Sequence, residues 1–266
     1  MLIKNGHVMD PKSGLDETLD ILIRDGKIEG IGKYPESGEY GEVIDARGKI
    51  VAPGLVDVHV HFRDPGFTYK EDMVTGAASA AAGGYTTVIC MANTNPAVDN
   101  EETLSDLRKR AERLPIHVLN TAAVTKGLQG KELTDMEGLK ALGAVGFTDD
   151  GIPIKDVRLV TEAMRRAAAL RVPISFHEED PDLIGSSGDN QGAVSKETGV
   201  AGAPTVSEEV LIARDCLLAL HEKGRMNIQH VSSGVSVDIL RTMKKLGADI
   251  YAEVTPQNFS LNETAV

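Results

Sequence analysis

The sequence contains no tryptophan and only two cysteines, and aromatic residues make up 4% of its 266 positions. Cys90 and Cys216 are far apart and lie in apolar segments, which predicts two buried free thiols in a reducing compartment and excludes a disulfide framework. No stretch approaches the roughly 18 apolar residues of a membrane span, and the first residues lack the apolar core of a signal peptide. We therefore expect a cytoplasmic protein with no membrane partner.

Positive charge is also scarce, because 28 Lys and Arg residues stand against 40 Asp and Glu residues, a formal net charge of −12. A nucleic-acid partner would require a basic face, so this balance argues against one. An acidic small-molecule substrate would need a local arginine or a metal ion to hold it. With 41% hydrophobic and 26% charged residues, the composition is that of a globular protein.

Residues 1–52 read as short strands separated by turn signals. The Asn5-Gly6 and Asp25-Gly26 steps lie between apolar positions, and both are typical of hairpins. This segment therefore predicts a small β-sandwich part, and Pro53-Gly54 marks its end.

From residue 53 to residue 266, short apolar segments rich in β-branched residues alternate with helical segments rich in Ala, Glu and Arg. Strand-then-helix repeats predict a parallel sheet, and their regular recurrence favours a (β/α)8 TIM-type barrel. Seven strands are predicted, starting near residues 54, 86, 116, 144, 172, 226 and 248. A closed barrel of this kind needs eight strands, so we expect a barrel that lacks its last strand, either as a fragment or completed by another chain.

The longest segment without a strand or helix pattern covers residues 180–206, which are polar and rich in glycine. We expect a loop there. Loops of this length in compact domains are usually functional or mobile, so a lid over the site is one interpretation.

Potential metal ligands follow four of the predicted strands. His59 and His61 are two positions apart and therefore share one face of a strand, whereas Asp150, His177 and His230 end three later strands. Because the carboxyl ends of the barrel strands meet at one mouth, we expect these side chains to form a metal site. Imidazole and carboxylate ligands favour Zn²⁺ over Mn²⁺, Co²⁺ or Fe²⁺. With two ions present, a water between them would ionise near neutral pH and become the nucleophile.

Two further polar residues lie near these predicted ligands. Arg63 follows His61 by two positions and can bind a carboxylate through its planar guanidinium, and Asn93 could add a hydrogen bond. A surface ion pair for Arg63 and a turn or capping role for Asn93 are the alternatives. Asp149 is an alternative ligand to Asp150. We interpret the remaining histidines as structural: His7, His117 and His221.

Six motifs in this order resemble the dihydroorotase family, in the long bacterial type of the amidohydrolase superfamily. They are VDVHVHFRDPG, CMANTNP, GFTDDG, FHEE, QHVSS and AEVTP, and the resemblance extends over essentially all 266 residues. It implies a zinc-dependent, reversible cyclisation of N-carbamoyl-L-aspartate to L-4,5-dihydroorotate in pyrimidine biosynthesis. It also implies association with aspartate carbamoyltransferase, and we expect a homodimer.

The resemblance also implies a role for each residue of the site. His59 and His61 would bind one zinc ion, and His177 and His230 would bind a second. Asp150 would bridge the two ions, where related hydantoinases carry a carboxylated lysine. A third set would hold the substrate: His61, Arg63 and Asn93.

The chain departs from the family pattern in two places. The family continues to an eighth strand ending in Asp-His-Ala-Pro-His, whose Asp is a zinc ligand and the general acid/base, and residues 1–266 contain no such motif. Gln257-Asn258 stands where the family usually has His-His. We therefore expect these residues alone to have weak activity or none. The alternatives are a hydantoinase-like or allantoinase-like enzyme, and an inactive scaffold that binds aspartate carbamoyltransferase.

Overall fold

A computed structural model describes residues 1–265 and divides into two compact units, Met1–Leu55 and a larger unit that starts at Val56. The strands are β1 (Leu2–Asp10), β2 (Leu15–Arg24), β3 (Lys27–Gly32), β4 (Val43–Asp45), β5 (Ile50–Val51), β6 (Leu55–Val60), β7 (Tyr85–Cys90), β8 (His117–Asn120), β9 (Ile174–Phe176), β10 (Asp189–Asn190), β11 (Gly202–Ala203), β12 (Met226–Ile228) and β13 (Ile250–Ala252). The α-helices are α1 (Met73–Ala82), α2 (Glu101–Ala111), α3 (Met136–Ala141), α4 (Val157–Leu170), α5 (Pro181–Ile184), α6 (Ala193–Thr198), α7 (Val206–Glu222), α8 (Gly234–Lys245) and α9 (Pro256–Ser260). Two short 3₁₀ turns cover Lys126–Leu128 and Glu263–Ala265. Across residues 1–265, no helix combines the length and the apolar character that crossing a bilayer requires.

The first unit is a five-stranded sheet in the order β3-β2-β1-β4, with β5 also paired to β1. The Asp25-Gly26 step forms the predicted hairpin turn between β2 and β3. The hairpin predicted at Asn5-Gly6 is wrong, because both residues lie inside β1 at an irregularity in its register with β2. Gly6 is needed there because a Cβ would lie 2.5 Å from a methyl group of Val51 on β5. The glycine therefore marks a close approach of side chain and backbone, not a turn.

The second unit carries six of the seven predicted strands, in two three-stranded groups ordered β6-β7-β8 and β9-β12-β13. The fourth prediction, a strand from residue 144, is wrong in extent, because only Phe147 forms parallel bridges, one to Ile174 in β9 and one to Ala122, which follows β8. Backbone hydrogen bonds nevertheless engage this segment from Val145 to Thr148, and a turn follows, in which the amide of Ile152 donates to the carbonyl of Asp149 at 2.9 Å. Phe147 is fully buried and joins the two groups into one continuous strand order.

The helical segments predicted between the strands are all present, as α1, α2, α3, α4, α7 and α8. Helix α4 shows why: its buried residues recur with the helical period, and they are Val160, Ala163, Met164 and Ala167. Apolar residues of the helices and strands pack into one core cluster of the second unit. Cys90 and Cys216 belong to this cluster as free thiols, which confirms that both are buried and unpaired, whereas the reducing compartment stays a prediction.

The segment 180–206 contains more regular structure than predicted. It folds into two short helices, α5 and α6, and a parallel pair of two-residue strands, β10 and β11. Asp180 begins α5, since its carboxylate accepts a hydrogen bond from the amide of Asp182 at 2.9 Å. Elements of two to six residues are too short to produce a hydrophobic period, so the sequence pattern did not reveal them.

Candidate metal centre

The five predicted ligands come together at the carboxyl ends of the second unit's strands. His59 lies in β6 and His61 follows it directly after the strand end, whereas His177 and His230 follow β9 and β12. Ligand atoms of His59, His61 and Asp150 lie within 4.8 Å of one another, and so do those of Asp150, His177 and His230. Asp150 is therefore shared by both groups, as a bridging carboxylate would be.

Asp150 is the buried centre of this arrangement, with a side chain 5% exposed. Its carboxylate oxygens lie 3.7 Å from Nε2 of His59, 3.4 Å from Nε2 of His61 and 3.9 Å from Nδ1 of His177. Nε2 of His230 lies 2.9 Å from that same Nδ1. Four imidazoles around one buried carboxylate form a nitrogen-rich donor set that fits zinc or a similar borderline cation.

Carboxylates contact the outer ring nitrogens of two of these histidines. Nδ1 of His59 lies 2.8 Å from Oε2 of Glu253, and Nε2 of His177 lies 3.3 Å from Oε2 of Glu179. Each contact leaves the other ring nitrogen directed at Asp150. This is the arrangement in which outer-shell acceptors orient histidine ligands.

Asn93 links His61 to Asp150. Its Oδ1 lies 3.1 Å from Nδ1 of His61, and its Nδ2 donates to Oδ2 of Asp150 at 2.7 Å and to the Asp150 carbonyl at 3.2 Å. The structure therefore brings Asn93 to the site, with both ends of its amide engaged by predicted ligands.

The protonation of the histidines follows from burial and nearby charge. Burial opposes protonation of His59, but the hydrogen bond and charge of Glu253, together with Asp150, outweigh it and raise the His59 pKa. Burial lowers the pKa of His61 despite the charge of Asp150. Burial also lowers the pKa of His230, with the neighbouring histidines adding to the effect. Neutral imidazoles are the form that binds a metal ion.

Arg63 lies beside the histidine pair with no partner of its own. Its backbone is left-handed, with φ of 56°, so the alternation of β6 does not continue to it. Within residues 1–265 its guanidinium makes no ion pair and no hydrogen bond. A half-buried, unpaired guanidinium is able to accept a carboxylate in a bidentate contact.

Asp149, the alternative ligand, is directed away from the histidines. Its Oδ1 accepts hydrogen bonds from the amides of Val124 and Thr125 at 2.8 and 3.0 Å, and its Oδ2 accepts one from the Thr125 hydroxyl. Burial raises the pKa of Asp149 to about 6. Asp149 thus anchors the loop at residues 124–125, while Asp150 faces the ligand groups.

Besides Glu179, sequence reasoning missed two glutamates that support the site. One is Glu253, in the AEVTP motif, and its position just after β13 was the available signal. The other is Glu208, whose carboxylate accepts hydrogen bonds from the amides of Ser232 and Ser233 at 2.9 and 3.0 Å. Glu208 holds the loop after His230, a residue whose φ is 33°.

A cavity of about 320 Å³ opens beside His177 and His230. Residues of the segment 180–206 and Glu208 contribute to its lining. Its volume suits a small polar molecule.

Three histidines were predicted to be structural: His7, His117 and His221. Within residues 1–265 they take no part in either ligand group.

Comparison with known proteins places these features in a family context. Residues 48–236 match a family model described as dihydro-orotase-like. The chain is 58% identical over 266 residues to the dihydroorotase of Clostridioides difficile and 52% identical to that of Clostridium acetobutylicum. Each alignment covers 100% of this chain and 63% of the relative, so the chain spans about 63% of the length of these relatives.

Solved structures with a similar fold include hydantoinases. The L-hydantoinase (dihydropyrimidinase) from Arthrobacter aurescens matches with a TM-score of 0.82 and 26% identity, over 96% of this chain and 58% of that one. A D-hydantoinase matches with a TM-score of 0.80 and 25% identity, over 99% and 59%. This chain therefore shares the α/β architecture of these hydantoinases over most of its length.

Proposed function

Because the chain belongs to the dihydroorotase-like family, we propose that it forms the larger part of a dihydroorotase, which interconverts N-carbamoyl-L-aspartate and L-4,5-dihydroorotate. The observation that carries this proposal is the unpaired Arg63, whose charge helps lower the pKa of His61, next to two ligand groups that share Asp150. A metal centre next to an unpaired guanidinium suits a substrate that bears a free carboxylate and a cyclic amide. The cyclisation belongs to pyrimidine biosynthesis.

We propose Zn²⁺ as the metal, with one or two ions per chain. His59 and His61 would hold one ion and His177 and His230 the other, with Asp150 between them. When bound, zinc would polarise the ring amide carbonyl and lower the pKa of the attacking water.

The residues of the chain itself bind and orient the substrate in this proposal. The guanidinium of Arg63 would bind the free carboxylate of the substrate through two parallel hydrogen bonds, and His61 would lie beside that carboxylate. Asn93 would contact the substrate only by exchanging one of its hydrogen bonds to His61 or Asp150, so it also orients these two ligands. The cavity beside His177 would receive the rest of the molecule.

We also propose the architecture from membership of the dihydroorotase-like family. Residues 1–52 would form a small β-sandwich part, and residues 53–266 would belong to a closed (β/α)8 barrel. The eighth strand and its general acid/base Asp would lie in the part of the relatives' length that this chain does not span. A cytoplasmic homodimer and an association with aspartate carbamoyltransferase remain predictions.

A hydantoinase-like activity is the second candidate, because the structural matches are hydantoinases at 25–26% identity. The matches to dihydroorotases at 52–58% identity favour the first candidate.

The test combines zinc content with substrate binding on the 266-residue chain. We expect zinc by elemental analysis, and binding of N-carbamoyl-L-aspartate in preference to hydantoin by calorimetry. Replacing His59 and His61 together by Ala should remove most of the zinc. Arg63→Met should weaken ligand binding about tenfold or more while zinc content stays unchanged, since one charge-assisted contact is worth about 1.5–3 kcal/mol.

Arg113→Met is the matched control, because Arg113 is exposed two residues beyond the end of α2. Unchanged zinc content in the His59/His61 double variant would refute the assignment of the ligands. Preferential binding of hydantoin would favour the second candidate.

A further inference from the structure

A carboxylate outside both ligand groups contacts His59. Glu253 follows β13, and its Oε2 lies 2.8 Å from Nδ1 of the imidazole, although 194 residues separate the two in the chain. The opposite ring nitrogen, Nε2, faces His61 at 3.2 Å and Asp150 at 3.7 Å. A neutral imidazole carries one proton, and the carboxylate accepts it only from Nδ1. The lone pair is therefore left on Nε2, the atom that faces the ligand group.

Glu253 is itself fixed by a polar network inside the second unit. Nδ2 of Asn227 lies 2.5 Å from Oε1 of Glu253 and 3.0 Å from Oγ of Ser175. Asn227 and Ser175 are register partners on neighbouring parallel strands, so the backbone sets their separation. Both oxygens of Glu253 thus have a partner, one in the network and one on His59. These two contacts fix the position of the carboxylate beside the imidazole.

The charge of Glu253 distinguishes it from the other acceptors at this site. His61 is contacted by the neutral amide of Asn93. His177 is contacted by Glu179, whose side chain is 43% exposed and is therefore screened by solvent. Glu253 is only 14% exposed. Among these three acceptors, it brings a buried negative charge to a ligand histidine.

We propose that Glu253 is a positioning residue of the metal centre, which fixes the tautomer and orientation of His59 and strengthens its Nε2 as a ligand. Glu253 acts through the imidazole and contributes no atom to either ligand group. The inference rests on the zinc site of the proposed function and extends it to a residue outside the ligand set.

The experiment measures zinc affinity of the full 266-residue chain by competition with a chromophoric chelator, for Glu253→Ala and Glu253→Gln. Loss of an outer-shell partner typically weakens metal binding about 10–100-fold, and we expect Glu253→Ala to fall in this range. Glu253→Gln can still accept the Nδ1 proton through its amide oxygen but lacks the charge, so we expect a smaller loss. Glu39→Gln is the matched control, because Glu39 is exposed in the first unit.

A second readout separates positioning from general destabilisation. Co²⁺ substituted for zinc reports ligand geometry through its visible absorption, and we expect Glu253→Ala to change this spectrum while Glu253→Gln largely restores it. Urea unfolding of the metal-free variants checks the fold, and if Glu253→Ala does not fold, the nearly isosteric Glu253→Gln decides.

Zinc affinities of both variants within twofold of the parent chain, with an unchanged cobalt spectrum, would overturn the role of Glu253. A parent chain that binds no zinc would overturn this inference and the proposed metal centre together. A parent chain that binds zinc but not N-carbamoyl-L-aspartate would refute the proposed substrate and leave the role of Glu253 standing.

Discussion

Asp149 offers a quantitative test of how the loop next to the metal centre is held. Replacing Asp149 by Ala removes the acceptor for the amides of Val124 and Thr125 and for the Thr125 hydroxyl. Residues 124 and 125 are fully buried, so water cannot replace the carboxylate. An unpaired buried donor costs about 1–3 kcal/mol. At pH 3.5, where this carboxyl group is protonated in the folded chain, two unpaired amides therefore predict a loss of roughly 2–6 kcal/mol in the free energy of unfolding.

Asp149→Asn isolates the charge from the hydrogen bonds. Its Oδ1 can still accept from both amides, and the Thr125 hydroxyl can rotate to accept from the new Nδ2. Burial raises the pKa of Asp149 from an ordinary 3.8 to about 6, so the folded chain binds this proton more tightly than the unfolded chain. The resulting stability is complete below pH 3.8 and is lost as the pH rises to about 6, which amounts to roughly 3 kcal/mol. The Asn variant cannot ionise, so it should lack this loss.

The assay is urea unfolding followed by circular dichroism, in the presence of a chelator, at several values between pH 3.5 and pH 7. The difference between the parent chain and Asp149→Asn cancels the contributions of other titrating groups. Asp238→Asn on α8 is the control, because its side chain is 77% exposed, and it should change stability by about 0.5 kcal/mol or less. A loss below about 1 kcal/mol in Asp149→Ala at pH 3.5, or parallel pH curves for the parent and Asp149→Asn, would refute this account.

Two further predictions concern packing away from the ligands. Gly66→Ala should destabilise the chain by more than about 2 kcal/mol in urea unfolding, because Gly66 has φ of 90° and a Cβ would collide with the carbonyl of Asn95. The control is Gly14→Ala, because Gly14 also has a positive φ, of 73°, but open space around it. Equal losses of stability in the two variants would contradict the steric argument. Cys90 and Cys216 should not react with a thiol reagent until the chain unfolds, because burial raises the pKa of each to about 12. Labelling in the native state at pH 8 would contradict this.

Patterns of short range predicted most of the fold. The alternation of β-branched and helical segments depends on neighbours within one strand or one to two helical turns, so it identified six strands and six helices of the second unit. The same reasoning overestimated the strand near Phe147, because within residues 144–150 only Phe147 forms parallel bridges. It also missed the short elements within residues 180–206, which have no period to detect.

The sequence by itself determined the donor set: histidine and carboxylate side chains at strand ends, and an arginine two positions beyond His61. Chemistry of this kind belongs to residue types and to their local spacing. Only the tertiary structure decided how the donor set is supported. Glu253 contacts His59 although 194 residues separate them in the chain. Asp149 binds the loop at residues 124–125, whereas its neighbour Asp150 faces the histidines. Such contacts depend on strand register and on which way a side chain leaves the backbone after a strand ends. Neither of these is encoded within a window of neighbouring residues.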